Sequence, residues 1–164
     1  MPSRLTIRAT SVAVALTRGK LLPIVSWGEA GMDDPIRAAV DAARKSRNDG
    51  RLDEAYQDYW QAVSLARAAH NAQVLAGALR HVSDVGREIG NLQAALTAGQ
   101  EAVAILRTDV NSAPLDLANA LRVTALALQE QGRKDEAKSI WREAKSLYAE
   151  VGVEEGVAEC EMNL

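Results

Sequence analysis

Gly132-Arg133-Lys134-Asp135-Glu136-Ala137 ends one helical pattern and opens another. A glycine takes the left-handed backbone that stops a helix without a Cβ penalty. Asp135 and Glu136 then fall in the first turn of the next helix, where the dipole favours negative charge. The arrangement also stands at Gly50-Arg51-Leu52-Asp53-Glu54-Ala55 and, with neutral residues, at Gly90-Asn91-Leu92-Gln93-Ala94-Ala95. The three glycines are 40 and 42 residues apart. Recurrence at a near-constant period marks a repeat architecture.

Each block continues in phase. Ala62, Ala102 and Ala144 follow Ala55, Ala95 and Ala137 by seven residues, on one helix face. Tyr59, Gly99 and Trp141 stand three residues before the second alanine. Small side chains let the two helices of a hairpin approach closely, while Tyr59 and Trp141 fill the space between hairpins. The middle unit is degenerate, with Gly99 in the aromatic place and Ser83 and Gly86 in its first helix. The pattern predicts helices over 35–48, 53–69, 72–89, 92–108, 114–130 and 134–150, with a last one near 153–163. Asp34 caps the first, with Pro35 at its first position, and Asn71 and Asn91 cap later starts. Asn111-Ser112-Ala113-Pro114 reads as a loop whose proline opens the fifth helix.

The helix-ending Gly, the Ala five residues on, the aromatic and the second Ala resemble the tetratricopeptide repeat (TPR) family. The resemblance covers about residues 35–150, three repeats with an incomplete fourth. The period exceeds the usual ~34 residues and is similar to that of longer variants. HEAT-like or armadillo-like hairpins share the longer period and are the structural alternative. The resemblance implies an all-α, right-handed superhelical array of three helix–turn–helix repeats plus a C-terminal helix. It further implies a non-enzymatic protein-interaction module.

Composition agrees with one globular domain. The chain has 164 residues, 48% hydrophobic and 25% charged, which excludes a disordered class. Aromatics reach only 4%, with no Phe, so the core is Ala, Leu and Val, as in close-packed helices. One Cys excludes a disulfide framework, and two His leave little for a metal centre. Net charge of −3 argues against general nucleic-acid binding, and no apolar run reaches membrane-spanning length. Residues 1–31 differ in texture: Arg4, Arg8, Arg18 and Lys20 face a single acid, Glu29, whereas residues 32–164 carry a net −6. This start reads as an extension outside the 32–164 repeat domain, with an organelle transit peptide and a secretory leader as rivals. A cytoplasmic location is the expectation.

Few residues offer chemistry. Cys160 shares an apolar stripe with Val153, Val157 and Leu164 and reads as core. His70 and His81 lack partners at metal-ligand spacing. Tyr56, Tyr59, Trp60, Trp141 and Tyr148 read as core rather than as a ligand-stacking cluster. No phosphate loop, zinc-protease helix or nucleophile elbow is present, and neither cofactor nor metal is expected.

In the family that the residues resemble, the first helix of each repeat lines a concave surface. Aligning on the glycines groups Arg37 with Gly77 and Asn119, and Val40 with Arg80 and Arg122. It also groups Arg44 with Asp84 and Leu126, and Arg47 with Arg87 and Gln129. The resemblance therefore implies a partner-binding face of Arg37, Arg44, Arg47, Arg80, Asp84, Arg87, Asn119 and Arg122, opposed only in part by Asp84, Glu88 and Glu130. Its partner would be an acidic peptide or helix. The Lys and Asn clamp of chaperone-tail-binding members is not matched at Val40, Arg44, Gly77, His81, Asn119 and Val123. The alternative is self-association, in which the apolar stripe of the terminal half-repeat docks on a second copy.

Overall fold

The computed structural model describes residues 34–164, so the expectations for residues 1–31 lie outside the described residues. Seven helices follow in order: α1 (Asp34–Asn48), α2 (Leu52–Ala68), α3 (Ala72–Glu88), α4 (Leu92–Thr108), α5 (Pro114–Glu130), α6 (Lys134–Glu150) and α7 (Glu154–Met162). Consecutive helices pack on one another, and α3 also touches α5 directly. The hairpins α1–α2, α3–α4 and α5–α6 thus stack in chain order, and α7 opens a fourth unit. No strand is present among the described residues, and no helix there is long and apolar enough to cross a membrane.

The turn glycines act as their positions demand. Gly50, Gly90 and Gly132 have φ of +78°, +81° and +79°. After each, the next N–H reaches back to the carbonyl five residues earlier: Arg51 to Ser46 at 2.8 Å, Asn91 to Gly86 at 2.7 Å and Arg133 to Leu128 at 2.9 Å. Each glycine's own N–H also bonds the carbonyl three residues back, and this double closure satisfies carbonyls that the helix end would leave bare. Gly152, with φ of +72°, repeats the device between α6 and α7, and His70 does so between α2 and α3 with φ of +53°. The expected caps divide. The Asn71 carboxamide accepts from the Val74 N–H at 3.1 Å, whereas Asn91 makes no side-chain cap and donates Nδ2 to the Tyr56 hydroxyl at 3.3 Å. Asp34 lies inside the first turn of α1 rather than before it.

The core follows the paired alanines. Ala55, Ala62, Ala95, Ala102, Ala137 and Ala144 are all fully buried. Tyr59 and Trp141 are buried as well, and Trp141 Nε1 donates to Gln129 Oε1 at 3.0 Å. The middle unit is fully packed by another solution. A Cβ on Gly99 would lie 2.6 Å from Thr124 Oγ1 and 3.0 Å from Ser83 Oγ. The missing side chain brings α4 against α3 and α5, where Thr124 Oγ1 is held by its bond to the Ala120 carbonyl at 2.8 Å. Gly99→Ala is expected to destabilise by ~1–3 kcal/mol through overpacking. Gln100→Ala, on the exposed side of the same helix, should stay within ~0.5 kcal/mol in urea unfolding.

Candidate functional site

The first helices of the units, α1, α3, α5 and α7, make up the inner row and carry the positions aligned by the glycines; α3 packs directly on α5. Ion pairs join neighbours in this row. Arg47 on α1 bonds Asp84 at 2.7 Å and Glu88 at 2.6 Å on α3. Arg87 on α3 bonds Glu130 on α5 at 2.6 Å and approaches its own Asp84 at 3.3 Å. Arg122 on α5 bonds Glu159 on α7 at 2.6 Å. The outer helices carry a parallel set, Arg67 to Glu101 at 2.6 Å and Arg107 to Glu143 at 2.7 Å.

Asp84 is the centre of the inner row and is buried. Burial by itself would raise its carboxyl. The adjacent Arg47 guanidinium, helped by Arg122 and Arg87, outweighs that and holds it well below the usual carboxylate range. Beside it, the His81 ring stacks on Tyr59 with centroids 4.8 Å apart and 9° between planes. Burial, reinforced by Arg80, Arg47 and Arg44, pushes His81 well below the ordinary histidine value. Neutral His81 can therefore accept from Arg80, whose Nη2 lies 3.0 Å from Nε2. Asn119 is buried and accepts from the Tyr148 hydroxyl at 2.8 Å.

The eight residues expected on the partner-binding face thus occupy different environments. Arg37 is exposed, and Arg44 is half-exposed with Asp41 at 3.6 Å. Arg80 is half-buried. Arg47, Arg87 and Arg122 are engaged in bonds between inner helices, and Asp84 and Asn119 are buried. The expectation that carboxylates oppose these arginines only in part is corrected for Arg47, Arg87 and Arg122. Stacking sets Glu88, Glu130 and Glu159 against them, and Glu159 was absent from the sequence alignment. The only advance signal was the period itself, since Glu88 and Glu130 are one repeat apart.

Two glycines shape the ends of this row. Gly156 in α7 lies against Tyr148, where a Cβ would come within 2.5 Å of the ring. The small residue seats α7 on α6 and carries Glu159 to Arg122. Cys160 is buried, and burial pushes its thiol up to about 11, so it is not poised as a nucleophile. No group of three or more metal-ligating side chains occurs among the described residues.

No family model matches the sequence, and no curated protein matches it. Solved structures do. One consists of nearly identical TPR-like repeats assigned to a kinesin light chain of Podosopora anserina, at 19% identity and a TM-score of 0.64. The match covers 73% of this chain and 59% of that one. A single-substitution variant of the same protein matches at 18% identity, also with a TM-score of 0.64, over 73% of this chain and 58% of its own. The chain therefore spans about three-fifths of the length of the structures it matches. With the glycine-closed hairpins, the paired buried alanines and the stacked inner row, this likeness identifies the fold as a TPR-like array of helical hairpins.

Proposed function

We propose that the chain is a non-enzymatic protein-interaction module whose inner row takes an acidic extended segment or short helix. The observation that carries this reading is the placing of arginines. In a chain of net charge −3, guanidinium groups stand at inner-row positions on α1, α3 and α5. α1 contributes Arg37, Arg44 and Arg47. Planar guanidinium groups suit bidentate recognition of carboxylates, and a fixed face spares the cost of ordering the receptor on binding. The TPR-like neighbours support an interaction role in general terms.

The test is titration of a glutamate-rich synthetic peptide. Reversing Arg37 and Arg44 to Glu is expected to weaken binding about tenfold or more, ~1.4 kcal/mol or above. Both lie at the surface of α1, so helicity should persist. Arg142→Glu, exposed on α6, should leave binding unchanged. Binding should also weaken with salt, because exposed charges are screened over ~8–10 Å. A peptide that binds the reversed protein as well as the original would overturn the reading.

Self-association through α7 receives less support. Where α3 and α5 place Leu79 and Leu121 in the core, α7 has the exposed Glu161, bonded to Lys145 at 2.8 Å. A polar outer face is the habit of a capping unit. Met162 and Leu164 are exposed there but are interspersed with Glu161 and Asn163.

A further inference from the structure

We propose that the groove between α6 and α7 is a second docking site, which takes a basic amphipathic helix of a partner protein. None of the inner-row arginines lines it, so the proposal stands apart from the reading above. The groove has a volume of about 360 Å³. Its lining includes the apolar Ala149, Val153, Val157 and Ala158 and the acids Glu154 and Glu161.

The earlier hairpins show what shape fits there. In α3, Ser83 and Gly86 lie against Gly99 and Ala95 of α4. Ala76 and Leu79 continue that stripe at helical spacing and are fully buried. α5 has Ala118 and Leu121 at the same positions, also buried, and packs on α6 as α3 does on α4. Counted from the helix starts, α7 has Ala158 and Glu161 there, and both are exposed. Among the described residues no helix covers them. The fitting occupant is therefore a helix with small residues at the contact, as α4 and α6 supply with the buried Ala95, Ala102, Ala137 and Ala144.

The acids set the chemistry of that helix. Glu154 makes no ion pair among the described residues. Glu161 bonds Lys145 at 2.8 Å, but the two side chains are 58% and 37% exposed, so an arriving Lys or Arg can share or replace this contact at little cost. Apolar contact with a charged edge is the make-up of a reversible interface. Glu161 also sets the groove apart from a permanent hairpin contact, where Leu79 and Leu121 are buried. A second copy docking through the same groove would bring Glu154 and Glu161 against their own kind, which like-charge repulsion disfavours. The occupant is thus a helix with Ala or Gly on its contact face, flanked by Lys or Arg.

The experiment uses the full chain and two fluorescent synthetic helical peptides of 17 residues, the length of α4 and α6. Both carry alanines seven apart; one flanks them with lysines and the other with glutamates. Fluorescence anisotropy is expected to show the lysine peptide binding about tenfold or more tighter. Ala158→Trp fills the groove from an exposed position and should weaken that binding about tenfold or more. Reversing Glu154 and Glu161 to Lys should invert the preference between the two peptides. Asp135→Lys, exposed at the other end of α6, should leave the preference as it was, which separates the groove from overall charge. Circular dichroism checks that each variant keeps its helicity. Failure of the lysine peptide to bind, equal affinity for the two peptides, or binding untouched by Ala158→Trp overturns the proposal. Light scattering that shows a dimer dissociated by Ala158→Trp also overturns it, in favour of a second copy in the groove.

Discussion

Asp84→Ala is expected to cost ~3 kcal/mol, the low end of what breaking a buried ion pair costs, because Arg47 keeps Glu88 and Arg87 keeps Glu130. The Asp84 and Arg87 side chains are 6% and 9% exposed and Arg47 is 19% exposed, so water cannot replace the lost carboxylate. The damage should spread across the α1–α3 junction, because Arg47 loses the more buried of its two partners there. Replacing Arg47 and Asp84 together by Met and Leu should recover much of the loss, since hydrophobic substitutes for a buried pair are often neutral. Urea unfolding of the single and double variants decides the matter. Recovery absent from the double variant would show that the site needs charge rather than volume.

The same residue sets a pH signature. A carboxyl held below its unfolded value adds stability that is complete above about pH 4 and is lost as pH falls through the folded value. Asp84→Asn should therefore flatten the acid limb of a melting-temperature profile below about pH 4. His81 acts in a higher window. Its folded value is depressed, so the folded state resists a proton that the unfolded chain accepts. Stability should decline as pH drops below about 6.5, and His81→Gln should remove that decline. The two windows are separate enough to be assigned by the two variants.

Trp141→Ala is expected to cost a comparable ~3–5 kcal/mol, through lost burial and the cavity left behind. The ring is fully buried in α6, and its indole N–H is bonded to Gln129 on α5. Arg142→Ala, one residue on and exposed, should change stability by less than ~0.5 kcal/mol. Equal losses at the two positions would refute the helical phase of α6. Because α7 rests on α6, the alanine variant should also loosen α7, seen as faster hydrogen exchange over Glu154–Met162 than over α1.

Helix positions were legible because their signals are local. A left-handed glycine, an acid in a first turn and alanines seven apart act within one or two turns of chain, and the observed bounds agree with the sequence reading within one residue. The buried status of Tyr59 and Trp141 was legible for the same reason, since helical phase alone places them on the alanine face. Gly99 shows the boundary of that logic. Its recurrence position was plain, but its purpose depends on Ser83 and Thr124, which reach it only after α3, α4 and α5 are stacked.

The amino-acid sequence by itself determined the hairpins, their order, the turns that join them and which positions of the first helices correspond between repeats. Only the tertiary structure decided which arginines there are bound up in the fold. Arg47, Arg87 and Arg122 meet carboxylates 37 to 43 residues away, one repeat further on, and Arg37 and Arg44 stand on the first helix of the row. The physical reason is one of range. Turn chemistry and helical period are properties of neighbours in the chain, whereas a salt bridge requires ångström placement of groups on separate helices. That placement is set by how closely small residues such as Gly99 and Gly156 let the helices approach, which is a property of the whole stack.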